Sequence, residues 1–157
     1  INNGGGSGVF TSILQIERRD VNTLAVKLID GGDRCNGGLE NVSVNNDIMS
    51  YSVNLTAFDV IALDNSDIKL KAYEDLASCA VCCVAKAQYS LNADDKPVFE
   101  GIKFEKYASI NEMPEQGSLQ GCFNKLSFEY INKNDMALNQ DQLHELVGKF
   151  TKLCTKP

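Results

Sequence analysis

From residue 9 to about residue 132, apolar and polar residues alternate with a period of two, in runs separated by clusters of Gly, Asn and Asp. Successive side chains of an extended chain point to opposite faces, so this pattern predicts half-buried β-strands. SYSVNLTAF, residues 50–58, shows it most clearly: Tyr51, Val53, Leu55 and Ala57 share one face, and Ser52, Asn54 and Thr56 the other. CFNKLSFEY, 122–130, repeats it with Leu126, Phe128 and Tyr130 inward and Lys125, Ser127 and Glu129 outward. Further strands are expected over 9–17, 23–30, 41–45, 66–73, 79–91 and 98–107, about eight in all. The connections Gly31-Gly32-Asp33, Asn36-Gly37-Gly38, Asn45-Asn46-Asp47, Asp64-Asn65-Ser66 and Asn92 to Pro97 are rich in residues that tolerate positive φ or cap a turn. Such short links imply antiparallel neighbours, and 108–120 is the one long loop.

The period changes at the end of the chain. In NQDQLHELVGKFTKLC, 139–154, Leu143, Leu146, Val147, Phe150, Leu153 and Cys154 fall on one stripe of an amphipathic helix. Asn139 is the expected N-cap, Gln142 completes a capping box, and Asp141 in the first turn and Lys149 and Lys152 near the last suit the two ends of the helix dipole. The predicted class is mainly β with a C-terminal α-helix, built as an up-and-down barrel or a two-sheet sandwich with helix 139–154 packed against it. In strand number and helix position this plan is similar to lipocalin-like barrels. The early Gly-x-Trp of those proteins has no counterpart, because the chain has no Trp. The resemblance implies a cavity for a small apolar ligand.

A chain of 157 residues fits one domain and buries roughly 70% of the surface it would expose unfolded. INNGGGSG, residues 1–8, has flexible-linker composition and is set apart from a single β-rich domain over 9–157. Beginning with Ile1, the chain reads as a processed form or a fragment. A net charge of -6 and a pI near 4.8, with no basic block longer than Arg18-Arg19, oppose a nucleic-acid partner. No apolar run approaches the ~20 residues of a membrane span.

Six cysteines change the picture more. An even count fits pairing in an oxidising compartment, so a secreted or extracellular setting is expected, or a periplasmic one. Asn41-Val-Ser43 and Asn54-Leu-Thr56 are glycosylation sequons, and the strand pattern turns Asn54 to solvent. In SCAVCCVAKAQYSL, 78–91, a strand places Cys79 and Cys83 on one face and Cys82 on the other. The Cys-x-x-Cys pair would then diverge, which opposes a zinc site and a thioredoxin-type redox centre. A helix here would instead gather Cys79, Cys82 and Cys83 on one face. The expected state is three disulfides among Cys35, Cys79, Cys82, Cys83, Cys122 and Cys154. Cys82 and Cys83 go to different partners, and Cys154 pairs with Cys79, Cys83 or Cys122.

Catalytic chemistry is sparse. His144 is the only histidine and falls off the apolar stripe of its helix, and no nucleophile is fixed near it in sequence. Asp94-Asp95 is turn chemistry. Asp59 shares parity with Tyr51, Val53 and Leu55, so either the strand breaks near Phe58 or Asp59 is an interior polar anchor. These residues point to a non-enzymatic binding domain without cofactor or metal, contacting another protein as an adhesin, inhibitor or receptor-binding module does. The alternative is a carrier of a small apolar ligand, for which Asp59, Tyr89, Phe104, Phe128 and Tyr130 are the candidate binding residues, within an interior that also takes in Leu14, Val53 and Leu55.

Overall fold

The computed structural model describes residues 8–64, 73, 75–134 and 136–155, which form seven strands and three α-helices. In chain order these are β1 (Phe10–Arg18), β2 (Leu24–Asp33), β3 (Leu39–Asn45), β4 (Ile48–Leu55), α1 (Ala57–Asp64), β5 (Ala85–Leu91), β6 (Pro97–Phe104), α2 (Ser118–Ile131), β7 (Ala137–Leu138) and α3 (Gln140–Cys154). β1 and β2 form an antiparallel hairpin of their own, while β3-β4-β5-β6-β7 form an open antiparallel sheet in that order. Among the described residues the large sheet ends at β3 and β7 without closing into a barrel, one of the two expected arrangements, and the strands number seven where about eight were expected.

The two-residue link between β3 and β4 is Asn46-Asp47, with φ of 49° and 63°. Positive φ at both positions gives a turn whose twist matches the flanking strands. Tyr51, Val53 and Leu55 of β4 stand opposite Tyr89, Ala87 and Ala85 of β5, and Ala87 and Ala85 stand opposite Ile102 and Phe104 of β6. These side chains form one hydrophobic core with Phe123 and Ile131 of α2 and Leu143, Leu146, Val147 and Phe150 of α3. Phe123 and Phe150 meet edge to face, with ring centroids 6.0 Å apart. The small Ala85 and Ala87 leave room for these large helical side chains.

α3 carries the cap expected of it: Gln142 N–H donates to Asn139 Oδ1 at 2.9 Å, and Asn139 N–H donates back to Gln142 Oε1 at 3.0 Å. α1 begins similarly. Thr56 N–H and hydroxyl donate to Asp59 Oδ2 at 2.9 and 2.7 Å, and Asp59 N–H donates to Thr56 Oγ1 at 3.3 Å. The strand therefore ends at Leu55, in line with the break expected near Phe58, and Asp59 caps the helix that follows.

The segment 122–130, expected as a strand, lies inside α2. Leu119, Phe123, Leu126 and Tyr130 recur at helical spacing, and this period prevails over the alternation of Leu126, Phe128 and Tyr130. The first turn of α2 is capped from a distance: Ser118 N–H and hydroxyl both donate to Asp75 Oδ2 at 2.6 Å. These hydrogen bonds hold the Asp75 carboxyl below its ordinary pKa. Behind them, buried Gln120 accepts from Ala77 N–H at 2.9 Å and donates to Asn124 at 2.7 Å, joining the 75–84 segment to the helix. The expected strand over 66–73 lies outside the described residues except for Tyr73, which is buried in the core.

The remaining turns follow the sequence in part. Asn36-Gly37-Gly38 and 92–96 are turns, whereas Gly31, Gly32 and Asp33 continue β2. The strand expected over 79–91 starts only at Ala85; residues 79–83 form an irregular turn, with Cys82 N–H donating to Cys79 C=O at 3.0 Å.

Candidate functional site

The cysteines are joined as Cys35–Cys83, Cys79–Cys82 and Cys122–Cys154. Cys82 and Cys83 do take different partners, and Cys154 is held by Cys122, one of its three expected candidates. The expected divergence of Cys79 and Cys82 is overturned. Outside a strand, successive side chains no longer alternate, so the turn brings the two sulfurs together. Cys122–Cys154 ties α2 to the last residue of α3. Cys35–Cys83 ties the turn after β2 to the segment that leads into β5, so it anchors the base of the hairpin on the larger sheet.

That hairpin presents the most distinctive surface among the described residues. One of its faces looks inward: Ile13 packs on the core, the Tyr51 hydroxyl donates to Asp30 Oδ2 at 3.1 Å, and Gln15 Nε2 donates to Asp95 Oδ2 at 2.7 Å. Burial and the Asp30 charge push the Tyr51 hydroxyl pKa upward, so it stays a donor. On the outer face Leu14 pairs across the ladder with Leu28, Ile16 with Val26, and Arg18 with Leu24. The five aliphatic side chains of this ladder are between 51% and 62% exposed. β1 alternates without a break, so Ile13 faces the core while Leu14 and Ile16 face out; the register shift leaves Ile29 of β2 unpaired, which lets Asp30 oppose Ile13 while Leu28 and Val26 join the outer face. Leu14 had been expected inside a cavity. A groove of about 450 Å³, lined by Thr11 to Leu14 of β1, Leu39 to Val42 of β3 and Met49 of β4, continues the outer face toward the edge strand β3. Val42, Val44 and Ile48 at that edge are exposed as well.

The residues expected to bind a small ligand do not all converge. Asp59 and Tyr89 line one open cavity of about 310 Å³, together with Asp30, Gly37, Val53, Leu55, Ala62 and Leu63. Phe104 is buried in the core and does not line it. Phe128 and Tyr130 sit on α2. There the Tyr130 hydroxyl donates to Glu145 at 2.6 Å, and the Lys149 ammonium lies 4.7 Å from the ring centroid. Burial and Glu145 push the Tyr130 hydroxyl up to about 12.

The opposite face of the large sheet is polar. Lys86 bridges Glu40 at 2.7 Å and Glu105 at 3.4 Å, and Asn54 Nδ2 donates to Glu40 at 2.9 Å. Asn54, expected at the solvent, is only 5% exposed, while Asn41 is exposed with φ of 52°. His144 is exposed and meets Asp64 at 2.9 Å. Among the described residues no cluster of three or more His, Cys, Asp or Glu is arranged to hold a metal ion, and no helix is long and apolar enough to cross a membrane.

The Cys35 anchor and the ladder could be sought in the sequence: β1 carries apolar residues on both faces (Ile13 against Leu14 and Ile16), which marks a strand with two contacts to make. Comparison with family models, with curated proteins and with solved structures gives no match.

Proposed function

We propose that this chain is a secreted, disulfide-bridged binding domain that works by contact with another protein, through the outer face of the β1–β2 hairpin. One observation carries the reading: a ladder of five half-exposed aliphatic side chains on a hairpin fastened to the core by a disulfide. Contiguous exposed apolar surface of this kind is costly to leave in water and marks a contact site. A hairpin anchored at its base by Cys35–Cys83 and on its inner face by Ile13 and Asp30 presents that surface with little ordering left to do on binding. The three disulfides support an oxidising, extracellular compartment.

The test compares wild type, Ile16→Thr/Val26→Thr and, on the polar face, Lys103→Glu, each used to capture proteins from the extracellular fluid of the natural host with quantitative mass spectrometry. A partner retained by wild type and Lys103→Glu, and reduced more than tenfold by the hairpin variant, supports the reading. Equal capture by all three, or no specific capture at all, rejects it.

A second reading, a carrier of a small ligand, is favoured by the cavity that joins Asp59 and Tyr89. Native mass spectrometry of protein from its natural source checks it: a retained small molecule supports the carrier, and a mass equal to that of the chain alone opposes it.

A further inference from the structure

Cys79 and Cys82 are three residues apart, whereas the Cys122–Cys154 and Cys35–Cys83 bridges span 32 and 48. In the chain-entropy account a bridge stabilises by restricting the unfolded chain, and the factor by which it shifts the folding equilibrium grows as the three-halves power of loop length. The short bridge thus restricts the unfolded chain less than either long one by more than about tenfold. The folded segment has little need of it as well. Its turn is closed by the main-chain bond from Cys82 to Cys79, and its neighbours are held independently. Cys35 N–H donates to Ala80 C=O at 3.4 Å, Val84 N–H to Leu55 C=O at 2.9 Å, and the Tyr107 hydroxyl to Cys83 C=O at 2.8 Å. Cys83 itself is bonded to Cys35.

Access to the two sulfurs is unequal. Val81, between them, is 77% exposed and Cys79 is half-buried, but Cys82 is only 7% exposed. The Cys82 Sγ lies 3.8 Å from Gln116 Oε1. An incoming thiolate therefore meets Cys79 first, and the sulfur displaced is the enclosed Cys82 Sγ.

We propose that Cys79–Cys82 is a thiol–disulfide exchange site, which accepts electrons from thiols while the fold and the other two bridges persist. A donor thiolate bonds to Cys79 Sγ, the Cys79–Cys82 bond breaks, and its electron pair leaves on Cys82 Sγ as thiolate. A second donor thiolate, from the same dithiol or from another monothiol, then attacks the donor sulfur of the mixed disulfide and releases Cys79 as thiolate. The donor ends as a disulfide and the protein holds two thiols. The donor class is a small monothiol or a protein cysteine pair.

The test equilibrates the folded protein in graded glutathione redox buffers, and separately with a reduced Cys-x-x-Cys protein, then quenches, alkylates and maps the labelled peptides. Expected in at least one arm is joint labelling of Cys79 and Cys82 at a ratio at least tenfold less reducing than any that labels Cys35, Cys83, Cys122 or Cys154, with unchanged near-UV circular dichroism. The arm that responds identifies the donor. Opening of all three bridges together, or loss of the native spectrum as Cys79 and Cys82 become labelled, overturns the proposal. A pair of variants tests the order of attack. Cys82→Ser should form a Cys79–glutathione adduct with oxidised glutathione at least tenfold faster than Cys79→Ser forms one at Cys82, and equal rates contradict it.

Discussion

Leu14 and Leu28 face each other across the hairpin ladder, and both remain more than half exposed, at 51% and 60%. A core pair would be covered; this one stands on the outside of a hairpin whose other face is already occupied by Ile13 and Asp30. A two-stranded hairpin is marginal by itself in water, so the strength of this one comes from its inner contacts and its base. The outer aliphatic residues are therefore available for a partner without being needed by the fold.

Replacing Ile16 and Val26 by Thr should leave the fold intact, because Thr keeps β-propensity and the lost contacts are half in water. The expected change in stability is within about 0.5 kcal/mol per site, read from urea unfolding. A loss of several kcal/mol would mean that this face is packed in solution.

Removing the Cys35–Cys83 bridge, as Cys35→Ala/Cys83→Ala, should lower stability by about 2–4 kcal/mol. Amide exchange should accelerate most at the base of the hairpin, where Arg34 N–H donates to Val9 C=O and Asp33 accepts from Val9 N–H. Uniform acceleration across the large sheet would contradict this anchoring role.

Acid should weaken the protein through Asp75. Hydrogen bonds from Ser118, then from Leu119, lower its folded pKa beneath the ordinary value of 3.8. A depressed carboxyl contributes stability that is complete above the unfolded pKa and is lost as pH falls through the folded one. The urea midpoint of wild type should therefore decline below about pH 4 more steeply than that of Asp75→Asn. Parallel profiles would show that this cap does not contribute.

In a glycosylating host the glycan should sit on Asn41 and not on Asn54. Asn54 is buried with its side-chain nitrogen engaged by Glu40, whereas Asn41 is exposed. Peptide mapping after enzymatic deglycosylation reads the two sites separately, and occupancy of Asn54 in folded protein would contradict its burial.

The sequence disclosed those elements in which one period stood alone. α3 was readable from its stripe and its Asn139–Gln142 cap, and β4 from the alternation through Leu55. α2 was not, because it buries the polar Gln120, Asn124 and Ser127, which blurs its apolar stripe and leaves a strand-like alternation in view. The strand break before Asp59 was legible, but the helix α1 that follows was not, although Thr56 and Asp59 have the spacing of a capping box. The candidate site was legible only in pieces: Asp59 and Tyr89 do share a cavity, while Tyr130 followed α2 to another surface. For a strand with apolar residues on both faces, pattern alone cannot say which face the fold covers. The covered face of β1 is set by the packing of Ile13 on the core, and that of β2 also by the unpaired Ile29, which only the pairing of the two strands reveals.

The most direct test of the hairpin as a contact surface is photo-crosslinking. A photoreactive residue is placed at Ile16 on the outer face or at Gln88 on the polar face of the large sheet, and each protein is irradiated in the extracellular fluid of the natural host. The account predicts a discrete adduct from position 16, absent from position 88 and suppressed by Val26→Thr. Identical adducts from both positions, or an adduct confined to position 88, would contradict it.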